Sequence, residues 1–263
     1  MRPRGECYQL AAVREAGHTT HLPCAPDVYS PVSADRPRPS LTESRLFQGL
    51  PHPARHAIVD AASRRSLRKG QTLIRQGDPA SAFFLMDRGY LKLTQVTPEG
   101  AEVIVRFVGP WDPVAGVAAL GETPYPVTAT ACDAVEILAW PRVILADLLD
   151  RYPQLKTNIL REMTAHMDDA LTRLRELATL KVSQRLAHTL LRLTQPAQAA
   201  RGTLTVPHTL TRQELAELTG TTLFTVSRIL TEWEGAGLVR SSRAHVEVLD
   251  ADGLRDAAEG QME

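Results

Sequence analysis

LTRQELAELTGTTLFTVSRIL, residues 210–230, reads as two short helices joined by a tight turn. Leu215, Leu218, Val226, Ile229 and Leu230 recur at helical spacing and can pack the two helices together. Gly220 supplies the backbone freedom that a helix end and a tight turn demand. Thr222 suits the N-cap of the second helix, which is predicted to run through Trp233. That helix leaves out Thr222, Thr225, Ser227 and Arg228, with Phe224 beside them. Such a face fits a DNA major groove, where hydroxyls and backbone amides grip phosphates and Arg reads guanine O6 and N7. Two amphipathic helices with a glycine between them also occur as plain packing units, so the pattern alone leaves both readings open.

Thr211-Arg212-Gln213-Glu214, Gly220 and Thr225-Val226-Ser227-Arg228-Ile229-Leu230 closely resemble the helix-turn-helix of the bacterial Crp/Fnr transcription regulators. Glu232 to Val239 is similar to that family's approach to its β-hairpin wing. The resemblance implies a homodimer that reads a palindromic operator in double-stranded DNA, its two recognition helices about one helical turn apart. It also implies RNA polymerase as a partner. Thr211, Arg212 and Gln213 match family positions that contact phosphates, as do Thr222 and Thr225, and would set register. Arg228 aligns with the base-reading Arg, and Ser227 with the small position before it. Leu223 and Phe224 depart from the pattern, which has Arg or a polar residue followed by Glu. Phe224 cannot accept a hydrogen bond from a base but can pack on a thymine methyl, so altered specificity is expected.

Outside this motif, the 263 residues allow two domains. Basic and acidic side chains balance at 30 each, so no global charge drives the chain toward nucleic acid. DNA affinity must then come from a focused face, with a moderate salt slope. No apolar stretch approaches the ~20 residues that span a bilayer, and no secretory signal follows Arg2 and Arg4. Cys7, Cys24 and Cys132 are few and scattered, which fits a reducing cytoplasm.

Residues 1–40 carry many Pro and Arg without periodicity, and read as a mostly disordered arm or an over-extended start of translation. Short helices are expected from Leu41 to Leu50 and from Ala54 to Ala62. From Ser66 to Trp140 the chain shows short alternating stretches: Ala82 to Met86, Tyr90 to Leu93, Val103 to Val108 and Val135 to Leu138. Turns at Gly70, Gly77-Asp78, Asp87-Arg88-Gly89 and Pro98-Glu99-Gly100 separate them, as in a small antiparallel sandwich or roll. The order of these turns resembles the effector-binding β-roll of the same family, so the resemblance spans roughly residues 41 to 258. Pro141 opens a helical region with Pro153 inside its pattern. Leu155, Ile159, Met163, His166, Ala170, Leu174 and Leu177 then form a seam on one face of a long helix. Packing on its own domain is one reading; a parallel homodimer seam is preferred, because the run is long and links two domains. Val182 to Leu193 is a further amphipathic helix, and Gln195 to Gly202 a loop. The wing would use Val239-Arg240 and Val246 to Val248, turning at Ser241 to Ala244, with a closing helix from Asp252 to Ala258. The fold class is therefore α+β: an arm (1–40), an antiparallel β-roll (41–150), a long dimerisation helix (151–178) and a winged helix-turn-helix (179–263).

Members of the family that bind cyclic nucleotides need an Arg for the phosphate and a Glu for the ribose. Both belong in the stretch matching Gly109 to Cys132. From Trp111 through Pro141 there is no Lys or Arg, and Gly116 occupies the place of the Glu. Glu122 would repel a phosphate. A phosphodiester buried there lacks its cation, so cyclic AMP binding in the family's manner is not expected. Oxygen-sensing members hold an iron–sulfur centre on a cysteine cluster, but a [4Fe–4S] centre wants four thiolates and only three cysteines exist. Cys132 reads as a small buried residue. His18, His21 and Cys24, with Cys7 upstream, have a metal-like spacing, although stray residues in an arm are the plainer reading; no metal site and no cofactor are assigned. His166 is read as a packed core residue, with a haem ligand in a gas or nitric oxide sensor as the alternative. A redox-responsive regulator, or a small-molecule-binding module acting without DNA, is the competing function. No nucleophile elbow, P-loop, dinucleotide fingerprint or zinc-protease motif appears, so no enzyme and no catalytic residue are expected.

Overall fold

Apolar alternation through the middle of the chain closes into two facing sheets in the computed structural model, which describes residues 44–121, 123–194, 204–205, 210–242 and 245–261. Strands β1 (Ser63–Leu67), β8 (Val135–Pro141), β3 (Ala82–Arg88) and β6 (Pro113–Val114) form one antiparallel sheet in that order. Strands β2 (Thr72–Ile74), β7 (Thr128–Ala131), β4 (Leu91–Val96) and β5 (Glu102–Val108) form the other. The expected arm, with Cys7, His18, His21 and Cys24, lies outside the described residues, as do Glu122 and the loop from Gln195 to Gly202.

Strand β3 is buried over six successive residues because both of its faces are covered. Phe84 and Met86 point into the roll with Leu91, Ala129 and Ile137. Phe83 and Leu85 point the other way, with Leu138 and Trp140, beneath a helical layer. That layer is α1 (His52–Asp60), α3 (Arg142–Arg151) and the first turns of α4 (Pro153–Thr179), preceded by a 3₁₀ turn over Arg45–Phe47. The indole of Trp140 donates to the Ile58 carbonyl at 2.7 Å and fixes α1 on the sheet. Gly89 sits at φ 79 with the Ala134 carbonyl where a Cβ would project, so the β3–β4 turn demands glycine.

Pro153 starts a helix where the sequence had placed it within one. It occupies the first turn of α4, where its missing N–H costs nothing, and the preceding Tyr152 leaves the helical region, at φ -129 and ψ 77, which ends α3. At 27 residues α4 is about 40 Å long. Its buried Asn158 donates to the carbonyls of Leu46 and Gln48, each at 2.8 Å, which anchors the helix to the preceding turn.

The expected seam on α4 divides between two faces. Leu155 and Ile159 are buried in the roll's own helical core, Met163 packs against it and His166 is half-buried. The exposed apolar row is Leu160, Met167, Leu171 and Leu174, with Thr164 and Ala178 completing alternate steps of four and three. Ala170 and Leu177 lie at its edge. Both faces carry apolar residues every three or four positions; the roll covers one of them.

Beyond α4 come α5 (Val182–Thr194), α6 (Arg212–Thr219), α7 (Leu223–Gly235) and α8 (Ala251–Glu259). Strands β10 (Val239–Ser242) and β11 (His245–Val248) form a hairpin, and β9 (Leu204–Thr205) pairs with β11. Leu186, Leu190, Leu215, Val226, Leu230, Trp233, Val246 and Leu254 share one core. This core meets the roll: α6 packs against β5, and Phe107 of β5 joins the helical core. The fold is α+β. No described helix is long and apolar enough to cross a membrane.

Candidate nucleic-acid interface

Each helix of the 210–230 stretch is opened by a threonine. The Thr211 hydroxyl accepts from the Glu214 amide at 3.1 Å, and the Glu214 carboxylate accepts from the Thr211 amide at 3.0 Å. This reciprocal capping box satisfies two otherwise orphaned donors at the start of α6. The helix ends at Gly220, in the left-handed region at φ 61, ψ 47. There the Thr221 amide returns to the Ala216 carbonyl at 2.9 Å and the Gly220 amide to that of Glu217 at 3.3 Å. Thr222 then caps α7, accepting from the Thr225 amide at 3.2 Å, with the two threonine hydroxyls 3.0 Å apart.

Helix α7 buries Val226, Ile229, Leu230 and Trp233. The opposite face carries Phe224, Ser227, Arg228 and Thr231, at the i, i+3, i+4 and i+7 positions. Phe224 is 78 % exposed and Leu223 beside it 47 %. Arg228 is exposed, and Ser227 is half-buried. Thr231, which sequence reasoning passed over, donates its hydroxyl to the Ser227 carbonyl at 2.9 Å. Thr222, Phe224, Thr225, Ser227 and Arg228 thus share the first two turns of one helix.

Thr211, Arg212 and Gln213 open α6, but their side chains are engaged within the protein. The Thr211 hydroxyl serves the capping box, and Gln213 donates to Glu217 at 3.0 Å. Arg212 donates to the Ser241 hydroxyl at 2.9 Å, and the Ser241 amide donates to Glu234 at 2.6 Å. Hydrogen bonds from Ser241, then the charge of Arg212, hold the Glu234 carboxyl below its usual range. These three residues tie α6, α7 and the wing together. Nothing local in the sequence signals the tie, because the wing reaches Arg212 only through tertiary packing. Buried Arg212 Nε has no hydrogen-bond partner among the described residues, so this side chain retains a donor. Across the wing Arg240 and Glu247 pair at 2.8 Å, with Arg240 largely exposed.

In the roll, Gly116 opens a short helix (α2, Gly116–Gly121) and packs near Phe83 and Ile159. It therefore stands against the helical layer and presents no side chain to a ligand. Trp111 (φ 70) and Ala115 (φ 65) precede this segment in the left-handed region that non-glycine residues rarely occupy. Tyr125 fills part of the interior, its hydroxyl donating to the Ala82 carbonyl at 3.2 Å and accepting from the amides of Ser81 and Ala82 at 3.1 Å. His166 faces Arg106 and Asp169; burial, reinforced by Arg106, pushes its pKa down to about 4. Burial pushes the half-buried Cys132 thiol up to about 12. No group of three or more metal-ligating side chains gathers among the described residues.

Comparison with known proteins covers both halves of the chain. Residues 64–152 match the cyclic nucleotide-binding domain family, and residues 184–257 the Crp-like helix-turn-helix domain family. The transcriptional activator protein FnrA of Stutzerimonas stutzeri is 32 % identical over 211 residues, covering 79 % of this chain and 85 % of that protein. A CRP-like cAMP-activated global transcriptional regulator of Mycobacterium tuberculosis is 25 % identical over 215 residues, covering 81 % and 96 %. Among solved structures, FixK2 from Bradyrhizobium japonicum shares the fold with a TM-score of 0.66 at 19 % identity, covering 74 % of this chain and 96 % of that one.

Proposed function

The chain belongs to the Crp/Fnr family of transcription regulators, and on that premise we propose that it binds a palindromic operator as a homodimer through α7. The observation that carries this reading is the capped, solvent-facing first half of α7, with Arg228 and Phe224 outward and four apolar residues inward. Arg228 reads a guanine through O6 and N7, and Ser227 touches the neighbouring base. Thr222 and Thr225, with the exposed start of α7, grip phosphate and fix register, as do Thr211, Arg212 and Gln213 at the start of α6. Arg212 is held at that position by its bond to Ser241, which is itself tied to Glu234. The dimer forms along Leu160, Met167, Leu171 and Leu174, an exposed row with the four-three spacing of a helix pair. RNA polymerase is the further partner we infer from family membership.

Full-length protein titrated against its own upstream region tests this. Arg228→Ala should lose at least about fivefold in specific affinity, since a bidentate Arg–guanine contact discriminates by about 1–3 kcal/mol. Its binding to random DNA should stay nearly unchanged. Equal loss on both DNAs would sink Arg228 as a base reader, and the absence of any retained duplex would sink the operator reading.

The proposal excludes cyclic AMP held in the family's usual manner. Residues 111–141 contain no Lys or Arg, and Gly116 is turned against Phe83 and Ile159. A buried phosphodiester without a cation is costly. Calorimetry with cyclic AMP should show no binding heat; micromolar binding would overturn the exclusion.

A further inference from the structure

Phe224 is the largest exposed feature of the face that α7 presents. It stands on the first turn of the helix, next to exposed Leu223, and its ring is 78 % exposed. Arg228 lies one turn on, along the same face. Side chains four apart on a helix have Cβ atoms about 5–6 Å apart, so Arg228 and Phe224 address the same few base pairs. A phenyl ring neither donates nor accepts a hydrogen bond. The one apolar group that a base pair displays in the major groove is the C5-methyl of thymine. No carboxylate occupies Phe224, Ser227, Arg228 or Thr231, so nothing on this face accepts a hydrogen bond from the N4 amine of cytosine as a Glu would.

We propose that Phe224 reads the C5-methyl of a pyrimidine within two base pairs of the guanine bound by Arg228, and accepts thymine and 5-methylcytosine alike. The inference rests on α7 being the recognition helix. The two bases carry the methyl at the same place and differ at O4 and N4, which an aromatic ring cannot tell apart. The operator would then contain a position where methylated cytosine substitutes for thymine and unmethylated cytosine does not.

Binding-site selection with the full-length protein supplies the preferred duplex. Fluorescence anisotropy then compares that duplex with versions carrying deoxyuridine at each thymine in turn. One replacement should weaken binding about fourfold, the effect of one buried methyl-sized group. In Phe224→Ala that sensitivity should vanish, with thermal stability unchanged because the side chain is exposed. At the same position 5-methylcytosine paired with guanine should bind within about twofold of thymine, and plain cytosine about fourfold more weakly than its methylated form. Specific binding with no deoxyuridine effect anywhere in the half-site would overturn the methyl contact and leave DNA recognition by α7 standing. Failure to select any sequence would overturn both.

Discussion

His166 shows how one half-buried side chain makes stability depend on pH. Desolvation on α4 and the charge of Arg106, opposed by Asp169, lower its pKa from 6.5 to about 4. The folded protein therefore binds fewer protons than the unfolded chain between these values. The stability that neutral His166 contributes is complete above about pH 6.5 and is lost as the pH falls toward 4. Nearby Asp112 and Glu162 have carboxyl pKa values raised mainly by burial, so their contribution runs the opposite way. A difference measurement separates the two. Across pH 6.5 to 4 the thermal midpoint of His166→Gln should fall less than that of the unaltered protein. Parallel curves would mean that His166 does not titrate as its surroundings dictate. At the same scale, Cys132 keeps its proton at neutral pH, since burial raises its pKa to about 12.

At the scale of elements, the turn between α6 and α7 depends on Gly220. Its φ of 61 lies where a Cβ costs about 1–2 kcal/mol, and that Cβ would sit 3.1 Å from Leu177 Cδ2. Gly220→Ala should lower the unfolding free energy in urea by about that amount, and a change below about 0.5 kcal/mol would refute the account. Gly220 and Thr222 were read from the sequence because caps and glycine turns are local chemistry, whereas the capping box of Thr211 and Glu214 came only with the structure. The two-residue strands β6 and β9 were not, since they are too short to show a period. Nor was the outward row of α4, because two faces of that helix carry apolar residues and only the roll decides between them. The Arg212–Ser241–Glu234 tie was hidden for a similar reason: its members come from three elements that meet only in the folded chain. The outward row carries its own prediction. Leu171→Glu with Leu174→Glu would place like charges along the proposed helix pair and should convert the proposed dimer to monomer in sedimentation, while the circular dichroism spectrum of the fold persists. A dimer that survives would send the interface elsewhere.

Across the whole molecule, the roll and the helix-turn-helix meet through a few contacts of unequal strength. Lys92 of β4 lies 3.3 Å from Glu214, whose other carboxylate oxygen closes the capping box of α6. Arg173 of α4 donates to the Val105 carbonyl at 2.6 Å, and Arg192 of α5 meets Glu176 of α4 at 2.6 Å. Beside them Phe107 of β5 places its ring against the core that holds α6 and α7. A partly exposed ion pair contributes about 0–1 kcal/mol, whereas truncating a core phenylalanine costs about 3–5 and a half-buried one correspondingly less. The apolar contact is therefore expected to dominate the coupling between β5 and α6. Hydrogen exchange resolves this, because locally opened segments exchange ahead of the rest. Phe107→Ala should speed exchange of the α6 amides, Arg212–Thr219, and leave the central strand Ala82–Arg88 protected. Lys92→Ala should leave both nearly as they were. If Phe107→Ala instead speeds exchange equally in α6 and in the central strand, the two cores open as one unit. Phe107 would then be a component of global stability, with no separate role in linking roll to α6.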